Sequence, residues 1–167
     1  MTWAAETDSV PQGDDGLATL IVYHTLEDEA RRLADILRDA HFWVVQSSRP
    51  ADLDLQCERE HADLVLLDIR PGEEDDFEIC RRLMERTGAR RVSTILMVSA
   101  GRSDDLEKAH AAGASEVLLK PIHRVEFVRR VSSVARLAKL RGELGALQAK
   151  LARDGATTGE SGKRDRD

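Results

Sequence analysis

Asp68 closes the apolar run Leu64-Val65-Leu66-Leu67, and Lys120, followed by Pro121, closes the run Val117-Leu118-Leu119. A carboxylate ending one buried strand and an ammonium ending another supply a nucleophile and a cation to offset charge arriving on it, as group transfer to an aspartate requires. Ser99, after the apolar run 94–98, adds a hydroxyl able to donate one hydrogen bond to an incoming oxygen. The first apolar run, 18–22, ends differently, in Tyr23-His24. Phosphoryl transfer through a hard divalent cation wants carboxylates in that place. A phenol is a poor ligand for such an ion at neutral pH, and a neutral imidazole suits Zn²⁺ or other transition metals better than Mg²⁺. Glu27 and Asp28 stand nearby in sequence, where cap and surface roles are expected of them.

The elements that must position these groups alternate along the chain. Short apolar runs at 18–22, 42–46, 64–67, 94–98 and 117–119 have strand length, and each is followed by a helical pattern. The first helix carries Ala30, Leu33, Ala34, Ile36 and Leu37 as one stripe, with Thr25 expected as its cap and Asp28 completing a weak capping box. The second ends near His61, the third carries Phe77, Ile79, Cys80, Leu83 and Met84, and the fourth closes at Gly113. Alternation of this kind predicts a parallel sheet with helices on both faces, and in such folds chemistry sits at the carboxyl ends of the strands.

At 167 residues, the chain is long enough for one domain with a real core and short appendages. The expected division is an unstructured lead-in at 1–16, a domain at 17–136, an extension of the last helix at 137–153 and an unstructured tail at 154–167. A net charge of -6 gives no reason to expect nucleic acid or an anionic membrane as partner. Charge is uneven: residues 51–79 hold eleven Asp or Glu against Arg59 and Arg70, whereas 123–153 hold eight Lys or Arg against Glu126 and Glu143. The sole cysteines, Cys57 and Cys80, lack metal-ligand spacing and fall in helical patterns, which predicts reduced thiols at least half buried. No apolar stretch approaches the roughly 18 residues of a membrane span, and the expected location is cytoplasmic.

In this order of elements, Asp-Leu-Val-Leu-Leu-Asp at 63–68, Phe77-Glu78-Ile79-Cys80-Arg81, Ser99-Ala100 and Gly113-Ala114 leading to Lys120-Pro121-Ile122 resemble the receiver domain of bacterial two-component response regulators. The resemblance covers about 17–137. It implies a doubly wound, five-stranded parallel sheet of the flavodoxin-like (βα)5 type, with Asp68 as phosphoacceptor from a histidine kinase. It further implies that Ser99 and Lys120 bind the phosphoryl group, that Pro121 follows a cis bond, and that Tyr23 and His24 occupy the positions of an acidic pair which, with Asp68 and the Arg70 backbone, holds Mg²⁺. Those two positions depart from the family's pattern. So do Val117, where many receivers carry a switching aromatic, and the loop Arg70-Pro71-Gly72, with Asp76 in place of a glycine. The combination reads as an atypical receiver with no cofactor, Mg²⁺ belonging only to the alternative in which Asp68 is phosphorylated. Protonated His24 pairing with Asp68 would stand in for the missing cation.

The last helix continues past the length the domain needs. Leu137, Leu140, Leu144, Leu147 and Leu151 are spaced three, four, three, four, a heptad seam about two heptads long, with Gly142 and Gly145 weakening it. Phe127, Val131, Val134 and Ala138 form an offset stripe expected to pack on the sheet. The stretch from Lys120 to Leu147 resembles receivers whose last helix feeds an output in cyclic-dinucleotide signalling. The expectation here is a non-enzymatic, stand-alone receiver that homodimerises through this helix and acts on a protein partner, a histidine kinase among the candidates, with no nucleic-acid or membrane role.

Overall fold

The computed structural model describes residues 18–69, 75–85, 92–99 and 103–160. The expected lead-in, the loop residues Arg70, Pro71 and Gly72, and Ala100 lie outside the described residues. Five strands, β1 (Thr19–Tyr23), β2 (Trp43–Ser47), β3 (Leu64–Asp68), β4 (Ser93–Ser99) and β5 (Glu116–Lys120), alternate with α1 (Glu27–Asp39), α2 (Pro50–Arg59), α3 (Asp75–Glu85), α4 (Ser103–Ala111) and α5 (Arg124–Glu160). The strands form one sheet in the order β2-β1-β3-β4-β5, every pairing parallel. The doubly wound fold expected from the sequence is borne out.

The apolar runs are continuous because both faces of the central strands are covered. Leu20, Val22, Leu64, Leu66, Ile95, Met97 and Leu118 meet Ala30, Ala34 and Leu37 of α1 and Phe127, Val131 and Ala135 of α5 on one face. Ile21, Tyr23, Val65, Leu67, Leu96 and Val98 meet Leu53 and Cys57 of α2, Ile79, Cys80 and Leu83 of α3, and Ala109 and Ala112 on the other. Both cysteines are buried free thiols, as expected. Burial pushes the Cys80 thiol pKa up, opposed by its hydrogen bond with Thr94 and by Arg81, so the group stays protonated. Its sulfur lies 3.4 Å from Thr94 Oγ1 and donates to the Ala112 carbonyl, tying α3 to β4 and the end of α4.

Helix ends differ from expectation in an informative way. Thr25 does not cap α1. Leu26 holds the N-cap position in extended conformation with no side-chain cap bond, and Glu27, Asp28 and Glu29 oppose the positive helix end instead. At the other end, α1, α2 and α4 close alike. His41, His61 and Gly113 have φ of 67°, 50° and 81°, and the amide one residue later returns to a helix carbonyl: Phe42 to Leu37, Ala62 to Cys57, Ala114 to Ala109. This is the Schellman closure, which only Gly113 advertised in the sequence.

On α5, Phe127, Val131, Ala135 and Ala138 are buried and Val134 half-buried, so the stripe packs on the sheet as its offset implied. Beyond Ala138 the helix leaves the core. It runs to Glu160, into the segment from 154 that composition assigned to a tail. Elongation adds one backbone bond per residue, and Gly155 weakens that without breaking it.

Leu66→Ala removes a fully buried side chain from the centre of the sheet, and is expected to cost about 2–5 kcal/mol, read as a fall in the urea midpoint. His61→Gly relieves a side chain held at positive φ, and is expected to stabilise by up to about 1 kcal/mol in the same measurement.

Candidate functional site

The strand order brings the ends of β1, β3 and β5 to one edge of the sheet. Asp68 is the last residue of β3, opposite Met97 of β4, whose carbonyl accepts the Ile69 N–H at 2.8 Å. Two positions further along β4, Ser99 is the register partner of Lys120 on β5. Period-two alternation puts Met97 and Ser99 on one face of β4, and the pairing sets Lys120 level with the last residue of β4. Its Nζ donates to Asp68 Oδ1. The bond from Lys120 to Pro121 is cis, as the resemblance implied.

The second carboxylate oxygen faces His24. Nε2 of the ring lies 3.5 Å from Asp68 Oδ2, and both side chains are buried. Two backbone contacts hold the imidazole there. The His24 N–H donates to the Ser47 carbonyl at 3.1 Å, extending the β1–β2 ladder by one residue. Nδ1 accepts the Leu26 N–H at 2.8 Å. An Nδ1 that accepts a backbone N–H carries no proton, so the ring proton sits on Nε2, toward the carboxylate. His24 thus turns Nε2 toward Asp68 Oδ2, with Nδ1 engaged by the backbone.

Tyr23 does not join this group. It is 2% exposed and packs in the core with Val65 and Leu67, on the face covered by α2 and α3. Glu27 pairs with Arg31 at 2.9 Å in solvent, and Asp28 is exposed, so neither turns toward Asp68. Among the described residues, no three His, Cys, Asp or Glu side chains gather as a metal site. The donors present do not fit Mg²⁺, which takes oxygen ligands: here one carboxylate is bracketed by an ammonium and an imidazole N–H. The Arg70 carbonyl, the other expected ligand, lies outside the described residues.

Val117 is half-buried and lines an open groove of about 450 Å³ between α4, β5 and α5, with Leu106, His110, Leu119 and Ile122 among its walls. The leucine seam of α5 is exposed along its length, from 49% at Leu137 to 63% at Leu151. Sequence reasoning missed the bond that orients His24. The signal was present: a ring acceptor two residues before the N–H it takes, the spacing that Asx turns use.

The response regulator receiver domain family model matches residues 26–132. Response regulator PleD of Caulobacter vibrioides (strain NA1000 / CB15N) is 26% identical over 148 residues, covering 89% of this chain and 33% of that protein. The phosphate regulon transcriptional regulatory protein PhoB of Rhizobium meliloti (strain 1021) is 27% identical over 132 residues, covering 78% of this chain and 52% of that protein. The chain therefore spans about a third to a half of the length of these relatives. The crystal structure of a response regulator from Thermotoga maritima superposes with a TM-score of 0.62 at 21% identity, over 71% of this chain and 98% of that one, a likeness of fold. The family match spans most of the ordered domain and includes Asp68, Ser99 and Lys120, and the chain belongs to the response regulator receiver domain family of two-component signalling.

Proposed function

We propose that this receiver is atypical: it signals through protein association and dimerisation, without Mg²⁺-dependent phosphorylation of Asp68. The observation that carries the reading is the state of the Asp68 carboxylate. Lys120 takes Oδ1, and His24 stands against Oδ2. A nucleophilic oxygen that attacks phosphorus must be free to approach in line, and the cation that would neutralise the transferred group has no second carboxylate to sit on among the described residues. Val117 supplies no aromatic lever, so the rearrangement that reports phosphorylation in many receivers has no moving part here. The exposed leucine seam then offers the means of output, a second copy of the chain.

A phosphorylatable receiver is the second reading, and the register of Ser99 with Lys120 favours it. Hydroxyl, ammonium and carboxylate stand at one sheet edge, the three groups a receiver uses around its phosphoryl group.

Titration with Mg²⁺ and beryllofluoride, followed by amide NMR with an Asp68→Asn control, separates the two. The expected result is a flat response in well-folded protein. Saturable shifts at Asp68, Ser99 and Lys120, absent from the control, overturn the proposal. His24→Asp replaces the N–H against Oδ2 by a second carboxylate, and is expected to turn that flat response into a saturable, Mg²⁺-dependent one. His24→Ala removes the acceptor of the part-buried Leu26 N–H and the ring beside Asp68 Oδ2, and is expected to cost about 0.5–1.5 kcal/mol in urea unfolding. Thr25→Ala, at an exposed position with no capping role, is expected to leave stability within about 0.5 kcal/mol of the parent.

A further inference from the structure

The seam fixes more than the existence of a partner. With Leu137, Leu144 and Leu151 at a and Leu140 and Leu147 at d, the positions bordering a two-stranded pair are Arg136, Glu143 and Lys150 at g and Arg141 and Gln148 at e. All of these flanking residues are exposed on α5. Among the described residues, Arg136, Arg141, Glu143 and Lys150 make no ion pair within the chain. They are available to read the orientation of a second helix.

In a parallel, in-register pair each g residue faces the e residue five positions on in the other copy. Arg136 then meets Arg141 twice, and Glu143 meets only the neutral Gln148. Two like-charge contacts and no opposite one disfavour that arrangement. In an antiparallel pair, g faces g and e faces e. One antiparallel register sets Leu140 against Leu151 and Leu144 against Leu147 of the second copy. It brings Glu143 against Lys150 twice and Arg141 against Gln148 twice. Sliding by one heptad sets Leu137 against Leu147 and Leu140 against Leu144, but brings Glu143 against Glu143 and Arg141 against Arg141. The charges therefore separate three arrangements that the leucines alone leave nearly equal.

We infer that the α5 extension binds a second copy of the chain antiparallel, in the register that pairs Leu140 with Leu151. The inference rests on the dimer reading above and adds its geometry. Ala138, the last buried residue of α5, stands level with residue 153 of the second copy, so the two receiver bodies are offset by about 22 Å along the shared rod at a 1.5 Å rise per residue. The bodies do not close on one another, and the groove between α4, β5 and α5 remains open to a different protein. A parallel pair places them side by side.

Disulfide trapping in the full chain reads the orientation directly. Leu140→Cys and Leu151→Cys are made separately, mixed under mild oxidation and resolved by mass. The antiparallel pair yields the mixed Leu140→Cys with Leu151→Cys product, and little self-linked product from either variant alone. Self-linked Leu140→Cys in place of the mixed product overturns the orientation and leaves the dimer standing. Sedimentation of the unmodified chain as a monomer throughout the micromolar range removes the dimer reading itself. Charge exchange gives an independent arm. Glu143→Lys is expected to weaken association on the order of tenfold at low salt, and adding Lys150→Glu to restore it. Arg136→Glu strengthens association only in the parallel pair, and that result also overturns the inference.

Discussion

A carboxylate buried at the edge of a parallel sheet has to be answered by nearby donors, and the arrangement at this sheet edge follows from how Asp68 is answered. Desolvation of such an ion costs several kcal/mol, which a single distant charge does not offset. The chain meets the cost with groups from two other strands. Lys120 arrives from β5 because β4 pairs with both β3 and β5, and His24 arrives from β1, the neighbour of β3 on the other side. The topology that gathers groups at this edge is therefore also the topology that sets Lys120 and His24 against the carboxylate. Here the ring orientation is fixed by the backbone of the next turn, through the Leu26 N–H on Nδ1.

The elements were legible because both faces of the sheet are covered. Buried strands read as unbroken apolar runs, and each helix showed one stripe, so the number and order of elements followed from pattern alone. Asp68 and Lys120 were placed together by the same logic. Less was legible at the ends. The β1 run stops at Val22 by hydropathy, but the ladder continues through Tyr23 to Ser47 and Leu67. Backbone hydrogen bonds decide where a strand stops, and side-chain type does not report them. His41 and His61 end helices in a conformation that glycine usually signals, because the closing amide bond offsets the steric cost of the side chain.

His24 shows the same limit at the site. Its position matched one member of an acidic pair, and from residue type alone a cation was the natural substitute. The tautomer depends on which nitrogen the backbone engages, a property of three-dimensional geometry with no direct mark in composition. Tyr23, the other member, fills space in the core on the α2 and α3 face. Two adjacent residues thus have separate consequences, Tyr23 for packing and His24 for the electrostatics of Asp68.

Closure of the Asp68 carboxylate requires His24 to meet it with a proton. Long-range ¹⁵N–¹H correlation of the imidazole ring, with Asp68→Asn for comparison, measures that directly. The expected result is an unprotonated Nδ1 and a protonated Nε2 whose shift changes when Asp68 is replaced. A proton on Nδ1, leaving the Nε2 lone pair facing the carboxylate, would contradict it, because that ring is a metal ligand in waiting and the site is open.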